Sequence, residues 1–326
     1  MSDHTERSDG TDITEEMTAT FATLGNETRL RIVRALWEIP GGEATFSQLQ
    51  SAVGMRDSGQ FNYHLNKLVG RFVQKEDNRY RLSSAGVLVL GAIFSGSYTT
   101  ADRVPPYAFG DTCLSCGATL LATYEDEQAR VFCPTCPTFS LNTYVPPRIL
   151  EQYGRDKVHV ALDHWGRLTV ETLRLGICTN CHSKVDPELR HEAEDVDVTL
   201  LAYECERCPK GGLLSLGMYL MRDPAVVSFH HEHGVCLESE PFWRLPFLME
   251  ESGDLVSEEP VVVEKRIRAG EEVLVATIRE DPSREVDKSP ENVVVEWTTN
   301  HPPGYANPGF DVTFEQEVAD ESTVRQ

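Results

Sequence analysis

Eight of the nine cysteines fall into four Cys-x-x-Cys pairs: Cys113/Cys116, Cys133/Cys136, Cys178/Cys181 and Cys205/Cys208. A pair of thiolates with this spacing grips one metal ion from a tight turn, and two such turns complete a tetrahedral four-thiolate site. Sixteen residues separate the first pair from the second, twenty-three the third from the fourth, and forty-one the second from the third. A ribbon needs only a hairpin between its two knuckles, so sequential grouping is the economical reading. One site is then Cys113, Cys116, Cys133 and Cys136, and the other Cys178, Cys181, Cys205 and Cys208; chain order leaves open an exchange of knuckles between subunits. A closed all-thiolate tetrahedron suits zinc, iron fits the same ligands, and a thiol redox switch is a further alternative. The expectation is two structural zinc ions, each standing in for a hydrophobic core too small to fold alone. Neither site leaves an open position for chemistry.

At 326 residues the chain is long for one core, and length favours two or three domains. Its net charge is -22, with 52 acidic against 30 basic residues, of which only 7 are lysine. This balance resembles that of salt-accumulating halophiles, where carboxylates hold hydration and Arg displaces Lys. Met1 to Glu16 is polar, without the apolar core of an export signal, and the longest apolar run, Ala85 to Phe94, is about half the length that spans a bilayer. A cytoplasmic location is expected, without membrane partner. In a reducing compartment, paired cysteines are metal ligands more often than disulfides.

Thr20 to Leu82 holds nine basic and six acidic residues, a +3 island in a chain of -22. Such an island points to a polyanionic partner. Within it Leu24, Leu30, Ile32, Val33, Leu36 and Trp37 form a helical apolar stripe that Pro40, Gly41 and Gly42 end. A short helix follows from the cap Thr45 to Gly54, and a third runs from about Asp57 to Val69. The third buries Phe61, Leu65 and Leu68, with Asp57 as its cap. Arg71 to Leu82 alternates in part around Glu76-Asp77-Asn78, which suits a hairpin. Three helices and a hairpin make a winged helix-turn-helix, and Ser84 to Tyr98 reads as a further apolar helix.

Leu24-Gly25-Asn26-Glu27-Thr28-Arg29-Leu30-Arg31-Ile32-Val33, then Tyr63-His64-Leu65-x-x-Leu68, then Arg79-Tyr80-Arg81-Leu82, resemble the ArsR-type winged-helix transcription regulators over roughly residues 14 to 95. The whole arrangement is similar to multidomain haloarchaeal regulators that follow such a domain with zinc-ribbon segments. The resemblance implies a homodimer, formed through the Ser84 to Tyr98 helix and the first helix, that places the third helix in the major groove of double-stranded DNA and the wing along the backbone or minor groove. On this chain the candidate contacts are Ser58, Gln60, Asn62, Tyr63, Asn66 and Lys67 on the helix and Arg79 and Arg81 on the wing. Gln and Asn pair with adenine edges, while hydroxyls and Lys hold phosphates. His64, beside the buried Leu65, reads as packing or capping. In concentrated salt counterion release weakens, so base-edge and shape contacts must carry more of the binding, which fits a helix richer in Ser, Gln and Asn than in Lys and Arg.

The expected fold is α+β and multidomain. An acidic disordered stretch (1–13) precedes the winged helix-turn-helix DNA-binding and dimerisation domain (14–98). A first zinc ribbon (107–147), a linking helical segment (148–176) with a break near Gly166 and a second ribbon (177–222) follow. A helix with a small antiparallel β segment (223–299), including strands Val261 to Arg268, Glu272 to Arg279 and Val293 to Thr298, leads to a flexible acidic tail (300–326). Thr119 to Tyr124 and Ala129 to Phe132 are expected to form a hairpin around Glu125-Asp126-Glu127, and Val198 to Tyr203 to enter the last knuckle. His230, His231, His233 and Cys236 suggest a sensory metal site. Yet Asp223-Pro224 and Gly234 read as helix start and stop, which puts the histidines in a last turn where positive charge is favoured and leaves Cys236 buried or idle. The chain has no phosphate-cradling Gly loop with Lys, no Gly-x-Ser-x-Gly elbow, no His-Glu-x-x-His pair and no deaminase pattern. The expectation is a sequence-specific transcription regulator rather than an enzyme. The alternatives are a protein-interaction scaffold of the transcription machinery and a metal- or thiol-responsive switch.

Overall fold

The computed structural model describes residues 13–96, 102–136, 139–192, 198–249, 253–259, 261–280 and 310–318. They divide between two compact units, Met1–Ala101 with Pro146–Arg148, and Asp102–Val145 with Ile149–Gln326. The structure is mixed α and β, with antiparallel sheets and two four-cysteine clusters.

In the first unit the apolar stripe from Leu24 to Trp37 is two helices rather than one, α1 (Ile13–Leu24) and α2 (Glu27–Glu38). The Asn26 side chain accepts the Arg29 N–H at 3.3 Å and starts α2, so capping chemistry interrupts a stripe whose period alone runs on. β1 (Glu43–Thr45) leads into α3 (Phe46–Val53), which opens with a Thr45/Gln48 capping box and closes on Gly54 at φ +71°. α4 (Ser58–Leu68) begins where Asp57 accepts the Gly59 and Gln60 N–H groups at 2.8 and 3.0 Å. β2 (Val73–Glu76) and β3 (Arg79–Leu82) turn through Asp77 and Asn78, both at positive φ, the geometry of a tight two-residue hairpin. β1 pairs with β3 to give the order β1-β3-β2. This third strand was not expected, because three residues are too few to show alternation. α5 (Ser84–Phe94) completes the unit, its Gly86 so close to Phe72 that a Cβ would lie 2.4 Å from the carbonyl oxygen. Ile32, Leu36, Leu49, Phe61, Leu65, Leu68 and Phe72 form the centre of one buried core. Each such side chain contributes about 1.5–3 kcal/mol by leaving water.

In the second unit β4 (Val104–Thr112), β5 (Thr119–Glu125), β6 (Gln128–Phe132) and β7 (Ser140–Tyr144) form an antiparallel sheet in sequence order. α6 (Pro147–Tyr153), whose first two residues belong to the first unit, precedes α7 (Val158–Arg174), which packs on β5, β6 and β7. The expected break at Gly166 is absent and α7 is continuous. The glycine is there for space: the Phe242 ring comes to 2.9 Å from where its Cβ would be. Around it Asp163 and Arg167, one turn apart on α7, pair at 3.0 Å in the interior; Asp163 accepts the Phe242 N–H at 2.9 Å and Arg167 donates to the Leu237 carbonyl at 2.8 Å. A buried ion pair with its remaining valences met in this way avoids the cost of desolvated, unmatched charge.

β8 (Val185–Glu192), β9 (Val198–Cys205) and β10 (Gly211–Ser215) form a second sheet with β9 central. α8 (Leu216–Leu220), α9 (Pro224–Glu232), a 3-10 turn (Phe242–Arg244) and α10 (Pro246–Met249) follow. The last sheet is β11 (Asp254–Glu258), β12 (Val261–Ala269), β13 (Glu272–Glu280) and β14 (Phe310–Val318), in that order. β14 corrects the expectation of a loose tail from residue 300: nine residues in which Phe310, Val312 and Phe314 alternate with polar ones pair along β13. The expected strand Val293 to Thr298 and the expected disorder of residues 1–13, Ile13 excepted, lie outside the described residues. No helix of the described residues is long and apolar enough to cross a membrane.

Candidate functional site

Both cysteine clusters sit at strand ends. Knuckle Cys113/Cys116 joins β4 to β5 and Cys133/Cys136 joins β6 to β7, where the register Thr112↔Thr119, Leu121↔Phe132 and Phe132↔Ser140 brings both knuckles to one end of the sheet. Knuckle Cys178/Cys181 precedes β8, and Cys205/Cys208 joins β9 to β10, with Val185 opposite Cys205. The sulfurs of each set all lie within 4.8 Å of one another, which gives the sequential grouping. Measured pairs are Cys116–Cys133 at 3.6 Å, Cys178–Cys208 at 3.7 Å and Cys181–Cys205 at 3.4 Å. A disulfide needs about 2.05 Å. Four sulfurs at about 2.3 Å from a central zinc stand about 3.8 Å apart, close to these distances. The donor set therefore fits a tetrahedral thiolate-loving ion such as zinc.

The first knuckle of each cluster has one backbone plan. Cys113 N–H donates to the Ala118 carbonyl and Gly117 N–H to the Cys113 carbonyl, both at 2.8 Å; Cys178 N–H donates to Ser183 at 2.8 Å and His182 N–H to Cys178 at 3.0 Å. The fifth position is left-handed in both, Gly117 at φ +72° and His182 at φ +59°. Backbone N–H groups also aim at sulfur: Cys136 and Thr135 at Cys133 (3.2 and 3.4 Å), Asn180 at Cys178 (3.4 Å) and Arg207 at Cys205 (3.4 Å).

These contacts set the thiol acidities. Desolvation alone would raise Cys133, but the Cys136 and Thr135 N–H groups and the neighbouring thiols bring it down to about 7. Cys136, sharing protons with Cys116 and Cys113 and desolvated, is pushed up to about 12. In the second cluster hydrogen bonds from Ser183 bring Cys181 down to about 6. Cys205 is pushed up to about 11: the Arg207 N–H lowers it, and desolvation with proton sharing toward Cys181 and Cys178 outweighs that. Thiols in contact divide their protons unequally; a dication held by the four sulfurs would remove that conflict by favouring the ionised form of all four.

The histidine cluster does not assemble. His230 Nδ1 bonds the Val226 carbonyl at 2.8 Å and His233 Nδ1 the Phe229 carbonyl at 2.7 Å, both back along α9, and among the described residues no metal-ligating group forms there. Cys236 is exposed rather than buried.

In the first unit α4 presents Ser58, Gln60, Asn62, Tyr63, Asn66 and Lys67 on one exposed arc, opposite buried Phe61, Leu65 and Leu68. Lys67 Nζ stands 5.7 Å over the Tyr63 ring. His64 is half-buried and its Nδ1 is enclosed without a hydrogen-bond partner. Arg79 and Arg81 are exposed on β3, but each is matched: Arg79 by Glu43 at 3.9 Å and Arg81 by Glu76 at 3.1 Å. Other cations of the +3 island serve the fold. Arg29 reaches the Ala22 carbonyl at 2.8 Å, Arg31 the Val53 carbonyl, Arg34 pairs with Glu38 at 2.8 Å, and Arg71 holds Thr20 at 2.8 Å. Among the described residues Arg56, Lys67 and Lys75 are exposed without a carboxylate partner. Arg56 and Lys75 were not singled out from the sequence, and only a count of pairs in the folded chain finds them.

A family model described as Domain of unknown function (DUF7351) matches residues 110–283, a range that takes in both cysteine clusters. A second, described as Domain of unknown function (DUF7347), matches residues 17–93, inside the first unit. No curated protein and no solved structure matches the chain.

Proposed function

The chain belongs to the DUF7351 family, and we propose that it is a sequence-specific DNA-binding transcription regulator, built as a winged-helix homodimer with two structural zinc sites of ribbon type. The observation that carries the reading is α4: a capped helix with six polar candidates on one exposed arc, its apolar side locked into the core, followed by the β2–β3 hairpin as the wing. Gln60 and Asn62 are the base-reading side chains, and Lys67 with the serine hydroxyl holds phosphate. Exposed Phe21 on α1, Leu30 and Trp37 on α2, and Leu88, Ile93 and Phe94 on α5 support a homodimer, because isolated surface apolar residues are ordinary but several on neighbouring helices mark an interface. Zinc would be held by Cys113, Cys116, Cys133 and Cys136, and by Cys178, Cys181, Cys205 and Cys208. When bound it supplies structure, neutralising four thiolates and tying two strand ends together.

The test is a chromatin-immunoprecipitation profile of the tagged protein against a Gln60→Ala/Asn62→Ala variant. Each lost bidentate contact costs about 1–3 kcal/mol of base discrimination, so discrete peaks with a shared motif should disappear in the variant. Identical profiles would remove α4 as the reading element. One observation favours a second reading, docking on a protein of the transcription machinery: the wing arginines already have carboxylate partners. Absence of any peaks above background would favour that reading.

A further inference from the structure

The two clusters share a backbone plan and differ in protection at one ligand, Cys133 being buried and its counterpart Cys205 half-buried. In the first, Cys113 and Cys133 are buried, Cys136 is half-buried and Cys116 is exposed, and the left-handed position is Gly117. In the second, only Cys178 is buried, Cys205 and Cys208 are half-buried and Cys181 is exposed. The left-handed position there is His182, where a Cβ crowds the following carbonyl.

The sulfur pairs differ in the same sense. Cys116–Cys133 and Cys178–Cys208 each include a buried cysteine, at 3.6 and 3.7 Å. Cys181–Cys205 is the shortest of the three at 3.4 Å and has no buried member. Bonding distance is about 1.4 Å nearer, within the reach of a small rotation at two side chains on open turns. Oxidant access and thiolate character decide which cysteines oxidise, and every sulfur of a metal cluster has the second. Cys116 is exposed like Cys181, but it meets the buried Cys133 whereas Cys181 meets the half-buried Cys205, so the partner's access discriminates here.

We infer that Cys181 and Cys205 form an oxidation-sensitive pair through which the second cluster, and not the first, discharges its metal. This deepens the metal-site reading above and rests on it. The oxidant is a hydroperoxide. Cys181 Sγ attacks one peroxide oxygen, the O–O bond breaks, and a sulfenic acid and hydroxide (or alkoxide) result. Cys205 Sγ then attacks the Cys181 sulfur, the S–S bond forms and the S–O bond breaks, releasing hydroxide. Two thiolates give up two electrons and the peroxide takes them, its two oxygens leaving as hydroxide (one as alkoxide where the peroxide is organic), which the buffer protonates. Cys178 and Cys208 alone no longer close a tetrahedron, and the metal leaves. Because the pair bridges two knuckles already in contact, the disulfide preserves the turn-to-turn contact while removing the charge and the ion.

The experiment uses the full chain with Cys236→Ser, which removes the one thiol outside the clusters and touches no ligand. Metal per chain is measured first, hydrogen peroxide is then added stepwise with a chromogenic chelator, and disulfides are mapped by peptide mass spectrometry. The expected result is release of one of two equivalents before the other, together with a Cys181–Cys205 linkage. Simultaneous release, a first linkage within Cys113, Cys116, Cys133 and Cys136, or one-equivalent release without the Cys181–Cys205 linkage would overturn the inference. A chain isolated without metal would overturn the metal-site reading beneath it, and the initial metal measurement distinguishes that failure from the others. All eight ligands stay in place, so no outcome turns on a variant that fails to fold.

Discussion

Replacing Glu43 and Glu76 by glutamine tests whether the β2–β3 hairpin meets DNA as proposed. In the native chain these carboxylates face Arg79 at 3.9 Å and Arg81 at 3.1 Å. Both pairs are exposed, so each holds its arginine by only about 0.2–1 kcal/mol, and folding should tolerate the change. On the proposed function the larger effect is on the field, because each carboxylate travels with the hairpin and would cancel the charge a phosphate would otherwise feel. With both gone, two further cations per subunit become available, four in the proposed dimer. At about −0.9 per neutralised phosphate, the slope of log K against log salt should steepen by about 3.6. Between about 1 M and about 0.1 M salt this is a gain of at most roughly 4,000-fold over the native protein. Fluorescence anisotropy on a promoter fragment, titrated with KCl, reads both quantities, and circular dichroism checks the fold. Parallel salt lines for the native and Glu43→Gln/Glu76→Gln proteins would refute the reasoning, since they would mean that Arg79 and Arg81 do not approach the phosphates.

Three further outcomes are expected. Chelation should melt the second unit and spare the first, because a structural four-thiolate zinc carries about 10–16 kcal/mol of apparent folding free energy; limited proteolysis should then cut first within residues 102–215 and leave α2 to α5 intact. His182→Gly should stabilise the metal-loaded chain by roughly 0.5–1 kcal/mol, the relief of a left-handed side chain less the backbone entropy glycine adds, read as a shift in the denaturation midpoint. His230 is buried against Phe247, ring centroids 4.6 Å apart, and burial holds its pKa below the ordinary value despite the Val226 carbonyl. The unfolded chain thus binds the extra proton first, so the contribution is complete above about pH 6.5 and is lost as pH falls through the native pKa. The stability difference between the native chain and His230→Gln should therefore shrink on acidification, and a constant difference would contradict the assignment.

The sequence was most legible where the chemistry is local. Thiol spacing alone grouped the cysteines correctly, because each ligand pair lies in one turn and each hairpin is short. Thr45, Asp57 and Asp223 announce helix starts for the same reason, their side chains bonding N–H groups within three residues. The polar arc of α4 follows from helical period and the three buried residues opposite it. What stayed hidden depends on partners far along the chain. Gly166 looks like a break until Phe242 is placed against it. Arg79 looks free until β1 brings Glu43 alongside, thirty-six positions earlier in the sequence. Residues 310–318 look like tail because acids and prolines dominate the surrounding composition, while the strand signal needs β13 as its template. The division at Asn26 is the exception, a local signal overridden in the sequence reading by an apolar period that happens to continue across it.

The pairing of β14 with β13 has a consequence for biosynthesis. β13 buries Val273, Leu274, Val275, Ala276 and Ile278, and its outer hydrogen-bonding edge is closed only by a strand that ends thirty-eight residues later, at Val318. At about 5–20 residues per second a ribosome takes roughly 2–8 s to supply that strand. Throughout that interval the nascent chain presents an apolar strand with a row of unpaired backbone donors and acceptors, a template for any other extended segment nearby. A chain released before residue 310 keeps that edge open permanently. Premature termination or carboxy-terminal trimming should therefore yield aggregates rather than a shorter functional protein, and expression tags belong at the amino terminus.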